Sequence, residues 1–114
     1  LSCNEGCPIE EKADICIHPD TGAEVITGST RMKAGTAQKL VLNMLSTCAM
    51  IKTGKVYENL MINLKPTNKK LRNRMIEIVC DITKFDYDKS EKALDECEWS
   101  IPSVKEKYER GLIK

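Results

Sequence analysis

The chain has 114 residues, 18 of them basic and 17 acidic, with a net charge of +1 at pH 7. That length holds one modest domain, or part of a larger one with a small appendage. The balanced charge argues against a generalised binder of nucleic acid or of an anionic membrane.

Taken in order, residues 1–4 read as the end of a strand, 8–12 as a turn or short helix opened by Pro8, and 13–17 as a second, apolar strand. Turn formers occupy 19–22. A long helix is expected over 30–51. Ala37, Val41, Met44, Leu45 and Cys48 make one face of it, and Leu40 and Leu42 widen the stripe beyond what a half-buried helix needs. Such a helix expects apolar partners on both sides, from another part of the protein or a second subunit. The same region contains the longest apolar stretch, 40–51, but Asn43, Ser46 and Thr47 interrupt it, so no bilayer crossing is expected. No secretory signal is legible, and the expected location is the cytoplasm.

The pattern changes near 64–66. Thr67 suits an N-cap, and Leu71, Met75, Ile78, Val79 and Ile82 follow at helical spacing. Asp88 with Glu91 suggests a capping-box start for a second helix, which turns Ala93, Leu94 and Cys97 inward. Pro102 suits the first turn of a third helix and Gly111 its end. A bundle of this size has a marginal core unless it leans on the preceding part. Its basic run, Lys65, Lys69, Lys70, Arg72 and Arg74, reads as a solvated helix face rather than a nucleic-acid contact.

Six cysteines raise the question of disulfides or zinc. Cys48 and Cys80 fall within apolar helical patterns, where a thiol acts as a small hydrophobe. Cys3, Cys7, Cys16 and His18 lie near one another in sequence, but they lack the paired knuckle spacing of a structural zinc site. Reduced, scattered thiols are the expectation, with no metal, and His18 reads as a strand-end residue.

The segment 22–39, GAEVITGSTRMKAGTAQK, carries the chemistry. Gly28, Ser29 and Thr30 sit where a loop becomes a helix, so unpaired amides and the positive end of the helix dipole favour an anion there. Arg31 and Lys33 place two cations in the first turn, where the dipole penalises each by up to ~1 kcal/mol. A bound phosphate reverses the sign of that penalty. The plainer alternative is that both cations point into solvent or pair with Glu24. No G-x-x-x-x-G-K-[ST] loop is present.

The run EVITGSTRMKAGTAQK, followed by LVLNMLST and GKVYENLM, resembles the signature shared by bacterial N-acetylmuramic acid 6-phosphate etherases and the animal glucokinase regulatory protein. Both are built on the sugar isomerase (SIS) domain. The resemblance covers 22–61, while Cys3, Asn4 and the ADI at 13–15 fit the strands before it. The helices after Thr67 resemble the family's C-terminal appendage by pattern, although the charged KEKYER at 105–110 departs from it.

The resemblance implies an α/β fold. Residues 1–65 would form the C-terminal portion of a doubly wound parallel SIS domain, and 66–114 a UBA-like three-helix bundle. It implies a sugar 6-phosphate ligand at the carboxyl ends of the strands, a homodimer, and neither nucleic-acid nor membrane partners. The implied reaction, cofactor-free, cleaves the lactyl ether to leave N-acetylglucosamine 6-phosphate and D-lactate by acid/base catalysis. The main acid/base glutamates and the serine-rich phosphate loop of such an enzyme lie in an N-terminal part outside this chain. This chain then supplies one wall of the site. Gly28, Ser29, Thr30, Arg31 and Lys33 contact the substrate, Lys33 foremost, and Glu24 bonds a sugar hydroxyl or assists proton transfer. Gly28 and Gly35 are expected to serve backbone approach and close helix packing. A non-catalytic sugar-phosphate regulator is the alternative.

Overall fold

A computed structural model describes residues Leu1–Lys114 as two compact units, Leu1–Ala49 and Met50–Lys114. No helix is long and apolar enough to cross a membrane.

In the first unit, a short 3-10 helix at Pro8–Lys12 is followed by α1, Lys33–Lys52. The strands expected at 1–4 and 13–17 do not form. The two segments meet in a single backbone hydrogen bond, from Ser2 N–H to the Ile17 carbonyl at 3.1 Å. An extended segment becomes a strand only by pairing along its length, and one bond makes no ladder. A parallel sheet is accordingly not formed by this chain alone.

α1 starts three residues later than the helical pattern suggests, because Thr30–Met32 still belong to a turn. None of its residues is buried. Leu40, Leu42, Met44, Leu45, Met50 and Ile51 stay 46–59 % exposed, so the broad apolar surface read from the sequence is not buried by the loop that precedes the helix. The helix stops in a Schellman motif. Gly54 adopts φ +69°, its N–H bonds the Ile51 carbonyl, and Lys55 N–H bonds the Met50 carbonyl.

The second unit opens with an antiparallel hairpin. Strand β1, Val56–Tyr57, pairs with β2, Leu60–Met61, in the register Val56↔Met61 and Tyr57↔Leu60. Helices α2 (Lys69–Thr83), α3 (Tyr87–Glu96) and α4 (Ile101–Glu109) follow. The first two begin at caps other than those expected. Asn68 rather than Thr67 caps α2, its side-chain oxygen accepting from Leu71 N–H at 2.9 Å. Asp86 rather than Asp88 caps α3, accepting from Lys89 N–H at 2.8 Å. Both corrections have one cause: the cap is the residue whose extended backbone aims its oxygen at the third amide onward, which composition alone does not specify. Ser100 caps α4, and Pro102 lies in its first turn as expected.

The core of this unit is formed by Ile62, Met75, Ile76, Ile78, Val79, Ala93, Leu94, Cys97, Ile101 and Val104. Tyr57, Leu60 and Leu64 pack against it, so the bundle does lean on the hairpin that precedes it. Arg72 stacks on the Trp99 ring at 4.5 Å and Lys105 on the Tyr57 ring at 4.6 Å. Cys97 is buried in this core, Cys80 donates to the Ser90 hydroxyl at 3.2 Å, and all six thiols are free.

Candidate functional site

The loop before α1 is a series of short-range constraints. Asp20 accepts from Gly22 N–H at 3.0 Å. The chain then reverses over Ile26–Ser29, closed by Ser29 N–H on the Ile26 carbonyl at 3.0 Å. Gly28 stands third in that turn with φ +83°, a value that suits glycine, and a Cβ there would touch nothing within 4 Å. The torsion alone accounts for glycine at this position, whatever the space around it. A Cβ at Gly35 would lie 3.5 Å from the Thr30 carbonyl, an ordinary contact.

At the helix start, the amides expected to await an external anion already have a partner. Glu24 accepts from Lys33 N–H through Oε2 and from Ala34 N–H through Oε1, both at 3.0 Å. The Lys33 amide and then the Ala34 amide hold the Glu24 carboxyl below its ordinary range, and the nearby Lys33 ammonium adds to the effect. Lys33 Nζ itself donates to the Ala23 carbonyl at 2.8 Å. The salt bridge weighed for Glu24 is thus replaced by bonds to backbone, with the lysine alongside. Arg31 is exposed and engaged by no other side chain. Of the two cations, Arg31 is the one whose hydrogen-bonding capacity is uncommitted.

Thr30 borders a hollow of about 250 Å³ with Leu1–Asn4, Ala34, Gly35 and Gln38. Gly28, Ser29, Arg31 and Lys33 do not line it. The structure therefore brings Ser29, Thr30 and Arg31 together on one short turn, while Lys33 and Glu24 are engaged in bonds to backbone. His18 accepts or donates at Nδ1 against the Asn4 carbonyl at 3.1 Å, and its Nε2 lies 3.5 Å from Glu10. Glu10 also accepts from Cys7 N–H at 2.9 Å, which lowers its pKa. The sequence drew attention to Cys7 and His18 but not to Glu10, which the 3-10 turn at Pro8–Lys12 brings between them.

No family model matches the chain. Individual proteins do. It is 59 % identical over 97 residues to N-acetylmuramic acid 6-phosphate etherase 1 of Vibrio cholerae, covering 85 % of this chain and 32 % of that protein. It is 54 % identical over 104 residues to the N-acetylmuramic acid 6-phosphate etherase of Oceanobacillus iheyensis, covering 91 % of this chain and 35 % of that one. With the etherase of Bacillus cytotoxicus the identity is 42 %, over all of this chain and 44 % of the relative. The chain thus spans about a third of the length of the first two relatives. A matched span of 97 residues in a chain of 114 necessarily contains 22–61. All three proteins bear the etherase name, so the regulator alternative is not favoured.

Proposed function

We propose, on the premise that this chain is homologous to one third of an N-acetylmuramic acid 6-phosphate etherase, that it supplies the C-terminal wall of that enzyme's sugar-phosphate site. The complete protein is then a carbon–oxygen lyase of the cytoplasm that cleaves the lactyl ether, leaving N-acetylglucosamine 6-phosphate and D-lactate. Its fold is the doubly wound SIS domain, to which 1–65 contribute, with the helices of 66–114 appended. The observation that carries this reading is the 59 % identity across a span that includes the whole glycine–serine–threonine–arginine turn.

The geometry supports a particular division of labour. Ser29 and Thr30 offer hydroxyls, and Arg31 a planar pair of donors, to a phosphate oxygen cluster. Gly28 shapes the turn, and Lys33 contributes long-range positive charge while its ammonium stays on the Ala23 carbonyl. Glu24 stays ionised beside the turn, because its bonds to two amides favour the charged form, and with both oxygens engaged it takes no part in proton transfer. The acid/base pair proper belongs to the portion outside this chain.

A homodimer is part of the same proposal, supported by the uncovered apolar residues of α1. Sedimentation of the complete protein at micromolar concentration should show a dimer, and a monomer would count against this part.

D-lactate release from N-acetylmuramic acid 6-phosphate by the complete protein is the direct test. Arg31→Ala is expected to raise KM by about tenfold, the loss of one charge-assisted phosphate contact. Lys33→Ala is expected to do less. An Arg31→Ala enzyme with unchanged KM, or a wild-type protein that releases no lactate, would overturn the assignment.

A further inference from the structure

We propose that Glu24 is a positioning residue, whose carboxylate latches the loop of 24–33 onto the start of α1 and so holds Ser29, Thr30 and Arg31 in one arrangement. The proposal rests on the reading that this turn contacts a sugar phosphate.

Three observations lead to it. The first is the pair of bonds from Glu24 to the amides of Lys33 and Ala34, which close a loop across nine residues of sequence. The second is the bond that Lys33 Nζ donates to the Ala23 carbonyl, which joins the same two ends through side chain to backbone where the Glu24 bonds run from backbone to side chain. The third is the state of the apolar side chains between those ends. Val25, Ile26 and Met32 are 84 %, 71 % and 60 % exposed, so within this unit no burial of side chains fixes the loop. Ordering a backbone segment is opposed by its conformational entropy, and something must offset that loss. The internal bonds, Ser29 N–H to the Ile26 carbonyl and Gly35 N–H to the Thr30 carbonyl, set local turns but do not join the ends. Only the Glu24 and Lys33 contacts do.

The latch also determines how a phosphate meets this chain. Each carboxylate oxygen takes one amide, so both helix-start donors that Glu24 reaches are occupied. An incoming phosphate is therefore met by side chains, the hydroxyls of Ser29 and Thr30 and the guanidinium of Arg31. Glu24 sets where those groups stand and does not touch the ligand.

The test compares Glu24→Ala and Glu24→Gln in the complete protein, with N-acetylmuramic acid 6-phosphate turnover and amide hydrogen exchange read side by side. Glu24→Ala is expected to raise KM about tenfold with kcat within about twofold, the pattern of lost binding geometry. Exchange at Lys33 and Ala34 should accelerate, while amides of α2 keep their wild-type protection, which shows that the protein is still folded. Glu24→Gln keeps a carbonyl acceptor for one amide and should fall between wild type and Glu24→Ala on both measures. A drop in kcat with KM unchanged, equally severe in both variants, would make Glu24 a chemical participant and overturn the proposal. Tighter binding of inorganic phosphate to Glu24→Ala would also overturn it, because the carboxylate would then be a stand-in that the ligand displaces. If the wild-type protein neither turns over nor binds the sugar phosphate, it is the function reading that fails. The exchange measurement decides the latch in that case too, and unchanged exchange in Glu24→Ala would remove it.

Discussion

The carboxylate of Glu24 has its pKa lowered chiefly by the Lys33 amide, then by the Ala34 amide. A group whose folded pKa lies below its unfolded value contributes stability above the unfolded value and loses that contribution as pH falls through the folded one. The latch should therefore be closed at neutral pH and open in acid. The amide proton shifts of Lys33 and Ala34 are expected to titrate together with a midpoint below the ordinary 4.5, and Glu24→Gln should abolish that transition. A second residue carries backbone cost in place of charge. Glu58 opens the two-residue hairpin loop with φ +51°, a left-handed conformation that glycine adopts without a Cβ clash. Glu58→Gly should raise the unfolding free energy of the second unit by roughly 0.5 kcal/mol, the relieved strain exceeding the added unfolded-state entropy. A lower denaturant midpoint would show that the strain was not there to relieve.

The helices of the second unit owe their limits to caps that neighbour the expected ones. Asn68→Ala removes the acceptor for Leu71 N–H and should cost about 1 kcal/mol. Thr67→Ala, at the position that composition favours, should change little. Equal effects from the two would mean that α2 frays at its start. The same comparison applies to Asp86, which accepts from Lys89 N–H, against Asp88 within the first turn of α3. α1 differs from the others in both respects: its N-terminal amides are capped from nine residues upstream, and none of its side chains is buried. Its regularity follows from helix-favouring residues and end bonds, while its apolar side chains stay exposed.

Burial divides the molecule. All ten buried hydrophobic residues belong to Met50–Lys114, and Leu94 and Val104 are fully enclosed there. Leu94→Ala should cost about 2–5 kcal/mol, a large part of what a unit of this size can hold. Urea unfolding followed by α2 amide protection should show it, and a loss below about 1 kcal/mol would mean that the site collapses around the smaller side chain. In Leu1–Ala49 there is no comparable residue, so substitutions at Ile15 or Val25 should leave the stability of the second unit unchanged.

Much of this was legible from residue order. Helical periodicity placed α2, and Met75, Ile78, Val79, Ala93, Leu94 and Cys97 all turned inward as their spacing required, because a 3.6-residue repeat commits a helix to one buried face. The glycine–serine–threonine turn was legible as well, since Gly28 marks a backbone torsion that few other residues accept. The strands at 1–4 and 13–17 were not decided by their own residues, because pairing is a property of two segments, and these two share a single backbone bond. Nor was the capping of α1. Glu24 and Lys33 are too far apart for any local spacing rule, and only the path of the loop through space brings a carboxylate to those two amides. Residue order dictates which side chains seek burial and which turn bears hydroxyls and charge; which donors are already satisfied is set by the fold, because a hydrogen bond between distant residues depends on where the intervening chain runs.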